Sequence, residues 1–126
     1  IESSDPRYSF HWVGESDQLY VFEAPIDLLS YISLHQENWR DHSYVSLCGT
    51  SEHAMHWMLK QYPQLGEIVL CLDNDNAGVK AAERLTGILS EHGYENIRID
   101  RSEEKDWNNE LVRACEAEEK MTMEME

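Results

Sequence analysis

Basic residues are scarce in this 126-residue chain: ten Lys and Arg stand against 25 Asp and Glu, a net charge of −15. That balance argues against strong binding to nucleic acid by this segment alone, because phosphate contacts need Lys and Arg. It fits a cation-binding module, or one part of a longer protein whose other parts are basic. Cysteine is sparse as well. Cys48, Cys71 and Cys115 are widely spaced with no CxxC pair, so neither a zinc site nor a disulfide framework is indicated. Cys48 and Cys71 fall in expected buried strands, where the thiol behaves as a small hydrophobe, and this usage points to the reducing cytoplasm. No apolar run approaches the roughly 18 residues of a membrane span, and no signal peptide is visible. The chain starts at Ile1 rather than Met, as expected of an excised segment.

What is present is an alternation of strand and helix patterns. Residues 1–7 are polar and expected to fray. Tyr8–Val13 alternates polar and apolar, which predicts a half-exposed strand, and after a turn at 14–18 the run Leu19–Glu23 predicts its hairpin partner. Pro25, Ile26, Leu28, Leu29 and Ile32 predict a helix over 25–36, followed by a polar loop. Tyr44–Gly49 is a third strand. Ser51 is placed to cap a helix carrying Ala54, Met55, Met58 and Leu59. Ile68–Asp73 is the central strand, a continuous apolar run of the kind buried on both faces of a sheet. Val79, Ala82, Leu85 and Leu89 mark the next helix, 96–100 a short strand, and Leu111, Val112 and Cys115 a last helix. The order predicts right-handed βαβ units: an α/β, Rossmann-like, mainly parallel sheet of about four core strands flanked by helices, with an extra N-terminal hairpin strand. It divides into an extension over 1–18, one domain over 19–115, and an acidic tail over 116–126 expected to be disordered.

Acids gather where this sheet would meet its loops. Glu23 ends one strand, with Asp27 a helical turn further on; Asp73 and Asp75 end the central strand; Asp106 follows the last strand. The C-terminal ends of parallel strands lie on one edge, where ligands bind in open α/β sheets. Converging carboxylates repel one another unless a cation neutralises them, and Mg²⁺ (or Mn²⁺) suits such hard oxygen donors. A structural reading stays open: Asp75 or Asn76 as a helix cap, Asp27 as a complement to a helix dipole. Glu23 is harder to explain in that way, because it follows Tyr20-Val21-Phe22 directly and an unpaired charge there would be costly.

Four motifs in order, Val21-Phe22-Glu23-Ala24-Pro25-Ile26-Asp27, Ser46-Leu47-Cys48-Gly49-Thr50, Leu72-Asp73-Asn74-Asp75-Asn76-Ala77-Gly78 and Lys105-Asp106-Trp107-Asn108, resemble those of a Toprim domain. That is the catalytic module of DnaG-type primases, topoisomerases, OLD-type nucleases and RecR-like repair proteins. The likeness covers roughly residues 19–112 and is greatest to the primase branch, as found in plasmid- or transposon-encoded replication and mobilisation proteins. The resemblance implies that Glu23, Asp73 and Asp75 are catalytic and bind Mg²⁺ or Mn²⁺, with Asp27 and Asp106 as further metal residues. It implies metal-assisted nucleotidyl transfer, with nucleoside triphosphates as substrates and DNA or RNA engaged through the full-length protein and its basic neighbouring domains. The same module in a nuclease would cleave phosphodiesters, and a non-catalytic, metal-stabilised interaction domain is the third reading. Asn108 stands where the motif has a second Asp, and Trp107 where it has a Pro.

Lys80 and Lys105 are candidate phosphate contacts. Trp12, Trp39, Trp57 and Trp107 are of a type that can stack on bases, but core or surface packing is the expected role of most of them; Trp107 is the exception, because it adjoins the acids. His53 and His56, three residues apart on one helix, lack a third zinc ligand.

Overall fold

The computed structural model describes residue 5 and residues 9–125. The expected fraying of 1–7 and the strand start at Tyr8 fall outside the described residues, Asp5 excepted. Five strands, β1 His11–Trp12, β2 Gln18–Phe22, β3 Ser43–Ser46, β4 Glu67–Leu70 and β5 Asn96–Ile99, alternate with helices α1 Pro25–Leu34, α2 His53–Gln61, α3 Asn76–Glu91 and α4 Trp107–Met125. They form one sheet in the order β1-β3-β2-β4-β5. The last four strands are mutually parallel, as expected of βαβ units.

Each core strand divides its side chains between two faces with period two. Leu19, Val21, Val45, Ile68 and Leu70 pack beneath α2 and α3, against Met55, Met58, Leu85 and Leu89. Tyr20, Phe22, Tyr44, Val69 and Cys71 pack on the other face against Leu28 and Tyr31 of α1 and Trp107 of α4. β2 and β4 are therefore apolar on both sides, and their ends project the acids over one edge.

Four expectations need correction. β1 does not form a hairpin with β2. It pairs antiparallel with β3, His11 opposite Val45 and Trp12 opposite Tyr44, because both edges of β2 are taken by β3 and β4. Cys48 is not a buried strand residue: β3 stops at Ser46, and Cys48 is exposed at φ 54° in the following loop. Ser51 does not take the cap position of α2, which falls to Glu52. The acidic tail is helical rather than disordered, since α4 runs on to Met125. Its Glu, Ala, Lys and Met residues are good helix formers, and no Gly or Pro interrupts them.

From Val112 onward α4 is exposed on every side. Truncation after Cys115 should therefore change unfolding free energy by less than about 0.5 kcal/mol. Leu85→Ala, which empties a fully buried position, should cost about 2–5 kcal/mol. Urea unfolding of both variants checks the contrast.

Candidate functional site

β2 ends at Phe22 and β4 at Leu70, short of the expected strand end at Asp73, so Glu23 follows its strand directly and Asp73 stands three residues beyond its own; backbone contacts fix both places. The carbonyl of Glu23 accepts the N–H of Gly49 at 2.9 Å and the Ser46 hydroxyl at 3.4 Å, so the loop after β3 braces the end of β2. Glu23 Oε1 in turn accepts the N–H of Asp73 at 3.4 Å. Beyond Asp73 the first turn of α3 folds back so tightly that a Cβ on Gly78 would lie 2.0 Å from the Asp73 carbonyl oxygen. Asp75 caps this helix, its Oδ1 accepting the Gly78 N–H at 2.7 Å.

The intervening Asn74 joins this loop to the one after β5. Its N–H donates to the Lys105 carbonyl at 2.6 Å and its side-chain amide to the Ser102 carbonyl at 2.9 Å. That second loop delivers Asp106, whose Oδ1 accepts the N–H of Asn109 at 2.8 Å at the start of α4. Asp27, only 4% exposed, accepts the Asn108 N–H at 3.2 Å. Three separate loops are thus tied into one edge, and all five acids expected at the site belong to it.

These acids are neighbours without a neutralising partner. None of the ion pairs among the described residues includes them. Asp73 Oδ1 is buried and has no hydrogen-bond partner. Burial, and then the charges of Glu23, Asp27, Asp106 and Asp75, push the Asp73 carboxyl up from 3.8 to about 7. Burial also raises Glu23, with the Asp73 N–H pulling the other way and Asp75 and Asp27 adding repulsion. Asp27 is raised by burial, against the Asn108 N–H, with Asp106 adding repulsion. Among the described residues no three Asp, Glu, His or Cys side chains draw together closely enough to enclose an ion. The edge is an uncompensated negative field rather than a closed ligand cage.

Lys80 and Lys105 are exposed beside the Asp73–Gly78 loop. Trp107 is not available for stacking. It is 3% exposed, its indole N–H donates to the Cys71 carbonyl at 3.1 Å, and Tyr31 meets it edge-on at 4.8 Å. The contributions of the Ser102 carbonyl and the Asn108 N–H are absent from the sequence reading because they act through backbone atoms, which carry no residue signature, and that of the Asn74 amide because its partner lies in a loop distant in sequence. Gly78 does leave a signal: a glycine in the first turn of a helix, where it is conformationally costly, needs a reason such as close approach.

Two outcomes follow. Gly78→Ala should destabilise by about 1–3 kcal/mol through overpacking against backbone, readable by urea unfolding. Asp73 binds its proton more tightly folded than unfolded, so in EDTA its ionisation removes stability progressively as pH rises from about 4 to about 7. Asp73→Asn should accordingly be more stable than the native chain at pH 8, on the order of 1–2 kcal/mol after allowance for solvent around this partly exposed side chain. The gap should close towards pH 4; a difference independent of pH would contradict the assignment.

The Toprim-like family model matches residues 20–111. An uncharacterised protein of Bacillus anthracis, pXO2-78, is 32% identical over 133 aligned residues, spanning 94% of this chain and 39% of that protein. A DNA primase of Synechococcus elongatus is 34% identical over 83 residues, 66% of this chain and 11% of the primase. Among solved structures, the primase fragment of the bacteriophage T7 primase-helicase protein gives a TM-score of 0.64 at 26% identity, over 82% of this chain and 41% of that one. The chain spans less than half the length of each of these proteins. By a match that runs from within β2 to the start of α4 and takes in every one of the five acids, the chain belongs to the Toprim-like family and carries a primase-like Toprim domain.

Proposed function

We propose that this chain is the divalent-metal-dependent, phosphodiester-forming module of a primase-like replication or mobile-element protein. The family membership supports a nucleotidyl-transfer-related module. The observation that carries the finer reading is Asp73 Oδ1, a buried carboxylate oxygen with no partner in the midst of four other acids. Hard oxygen donors, a negative field and an open edge fit Mg²⁺ or Mn²⁺, which keep part of their water shell. Glu23, Asp73 and Asp75 would hold the ion, with Asp27 and Asp106 contributing charge. When bound, such an ion polarises phosphoryl oxygens and offsets the charge of an in-line displacement.

The chain's own residues supply the rest. Glu23 sits just past the end of β2, its carboxylate held against the Asp73 N–H, and would accept the proton of an attacking 3′-hydroxyl. Asp75 is oriented by the Gly78 N–H, which engages one carboxylate oxygen and leaves the other outside that bond. Lys80 and Lys105 are exposed on either side and can meet phosphates of a nucleoside triphosphate or of the nucleic acid. Asp27 already gives Oδ1 to the Asn108 N–H, and Asn108 replaces an acid with a neutral amide, so the site favours one ion over two.

Titrating Mn²⁺ should raise the melting temperature of the native chain by roughly 5 °C or more near saturation. The double variant Asp73→Asn/Asp75→Asn should not respond. A native chain indifferent to Mn²⁺ would sink the proposal. Primer synthesis by the longer protein, set against nicking of supercoiled DNA, then distinguishes forming from cleaving chemistry.

A further inference from the structure

The end of the molecule opposite the acids gathers imidazoles that the acidic edge does not use. α3 begins beside Asp75 and runs 16 residues to Glu91, so its far end lies about 24 Å from the acids. There the ring of His92, just past the helix, meets the ring of His56 on α2, with centres 4.8 Å apart and planes at 48°. In sequence the neighbour of His56 is His53 on its own helix; the fold brings it a ring from a second element. The two rings border an open cavity of about 420 Å³, completed by Leu59, Lys60 and Tyr94.

Both rings can offer a lone pair. His92 Nδ1 lies 2.8 Å from the Ile88 carbonyl oxygen. That oxygen only accepts, so Nδ1 carries the hydrogen and Nε2 keeps its lone pair. A carbonyl in this position fixes the tautomer and orientation of metal-binding histidines generally. The His56 ring faces His92 and makes no side-chain hydrogen bond among the described residues, which leaves its own lone pair unengaged. Two imidazoles that share a tetrahedral ion at about 2.0–2.1 Å have ring centres about 5 Å apart. The observed 4.8 Å is close to that, so neither helix has to shift to let both rings reach one ion.

We propose that His56 and His92 hold a zinc ion that fastens α2 to the end of α3, with water completing its shell. Neutral imidazole suits Zn²⁺, whereas Mg²⁺ takes oxygen ligands. No third Asp, Glu, His or Cys side chain joins the pair among the described residues. Two protein ligands beside an open cavity make an exchangeable site rather than an enclosed one. Glu52, one turn before His56, is engaged by Arg84, which leaves ligation to nitrogen. Lys60 is exposed, and its long stem carries the ammonium into water. The net charge of −15 attracts cations in general and so favours occupancy. The site asks nothing of the acids at the other end.

The test is calorimetric titration of ZnCl₂ into the chain slightly above neutral pH, where imidazole is unprotonated, with excess Mg²⁺ present to engage the carboxylates. Saturable zinc binding is expected, together with a rise in melting temperature. His56→Ala and His92→Ala should each weaken binding roughly tenfold or more. His53→Ala and Asp73→Asn/Asp75→Asn should bind zinc as the native chain does. His92 is exposed, so its substitution spares the core. Absence of saturable binding, native affinity in His56→Ala or His92→Ala with unchanged circular dichroism, or loss of binding in either of the other two variants would overturn the site. Because zinc is read with the acids saturated or substituted, that failure is separate from failure of the metal reading at the acidic edge, which the Mn²⁺ melting experiment tests.

Discussion

One electrostatic demand shapes the edge of this molecule: Asp73 keeps a carboxylate oxygen out of water, unbonded, beside four other acids. Such an arrangement is costly, and side chains left to themselves would swing apart. Backbone contacts prevent it. The loop after β3 holds Glu23 through Gly49, the first turn of α3 presses on the Asp73 carbonyl through Gly78, and Asn74 bolts the Asp73–Gly78 loop to the one that carries Asp106. Behind these loops stand two central strands buried on both faces, which fix where each loop begins. The stability of the core is thus what allows the edge to remain strained by charge.

Two members of the acidic cluster are helix caps as well. Asp75 and Asp106 each commit one oxygen to an N–H in the first turn of a helix, which is what a cap does. The other oxygen lies outside that bond. The positive end of the helix dipole also lessens repulsion among neighbouring carboxylates, so capping helps the acids to assemble. Asp27 differs. Buried and bonded to Asn108, it ties α1 to the start of α4 and serves the site through its charge and its hold on that loop.

Much of this was legible in residue order because it depends on patterns with a period or a position. The apolar run before Asp73, the helical spacing after Asn76 and the placement of acids after strands located the sheet and the edge where the acids gather. What escaped depended on partners chosen elsewhere in the fold. Nothing in His11-Trp12 says that β3 rather than β2 will accept it, since that follows from β4 occupying the other side of β2. Cys48 looks apolar enough to continue a strand, yet the loop that braces Glu23 has to begin there. Trp107 sits beside the acids in sequence, but its ring turns inward to close the face between Tyr31 and Cys71. The tail after Cys115 was misjudged from its charge, although its helix-forming residues outweigh the repulsion between them.

The distribution of charge constrains how a polynucleotide could be held. Of the few cations, Arg84 is engaged with Glu52 and the Thr50 carbonyl, Arg98 lies at Glu67 and Arg113 at Glu104. The remaining basic residues face a net charge of −15. The general field therefore repels phosphate, most strongly at the edge where the acids concentrate. Any nucleic acid brought to that edge must be retained by something other than this chain's long-range electrostatics. Local neutralisation of the acids is the means that this edge itself offers.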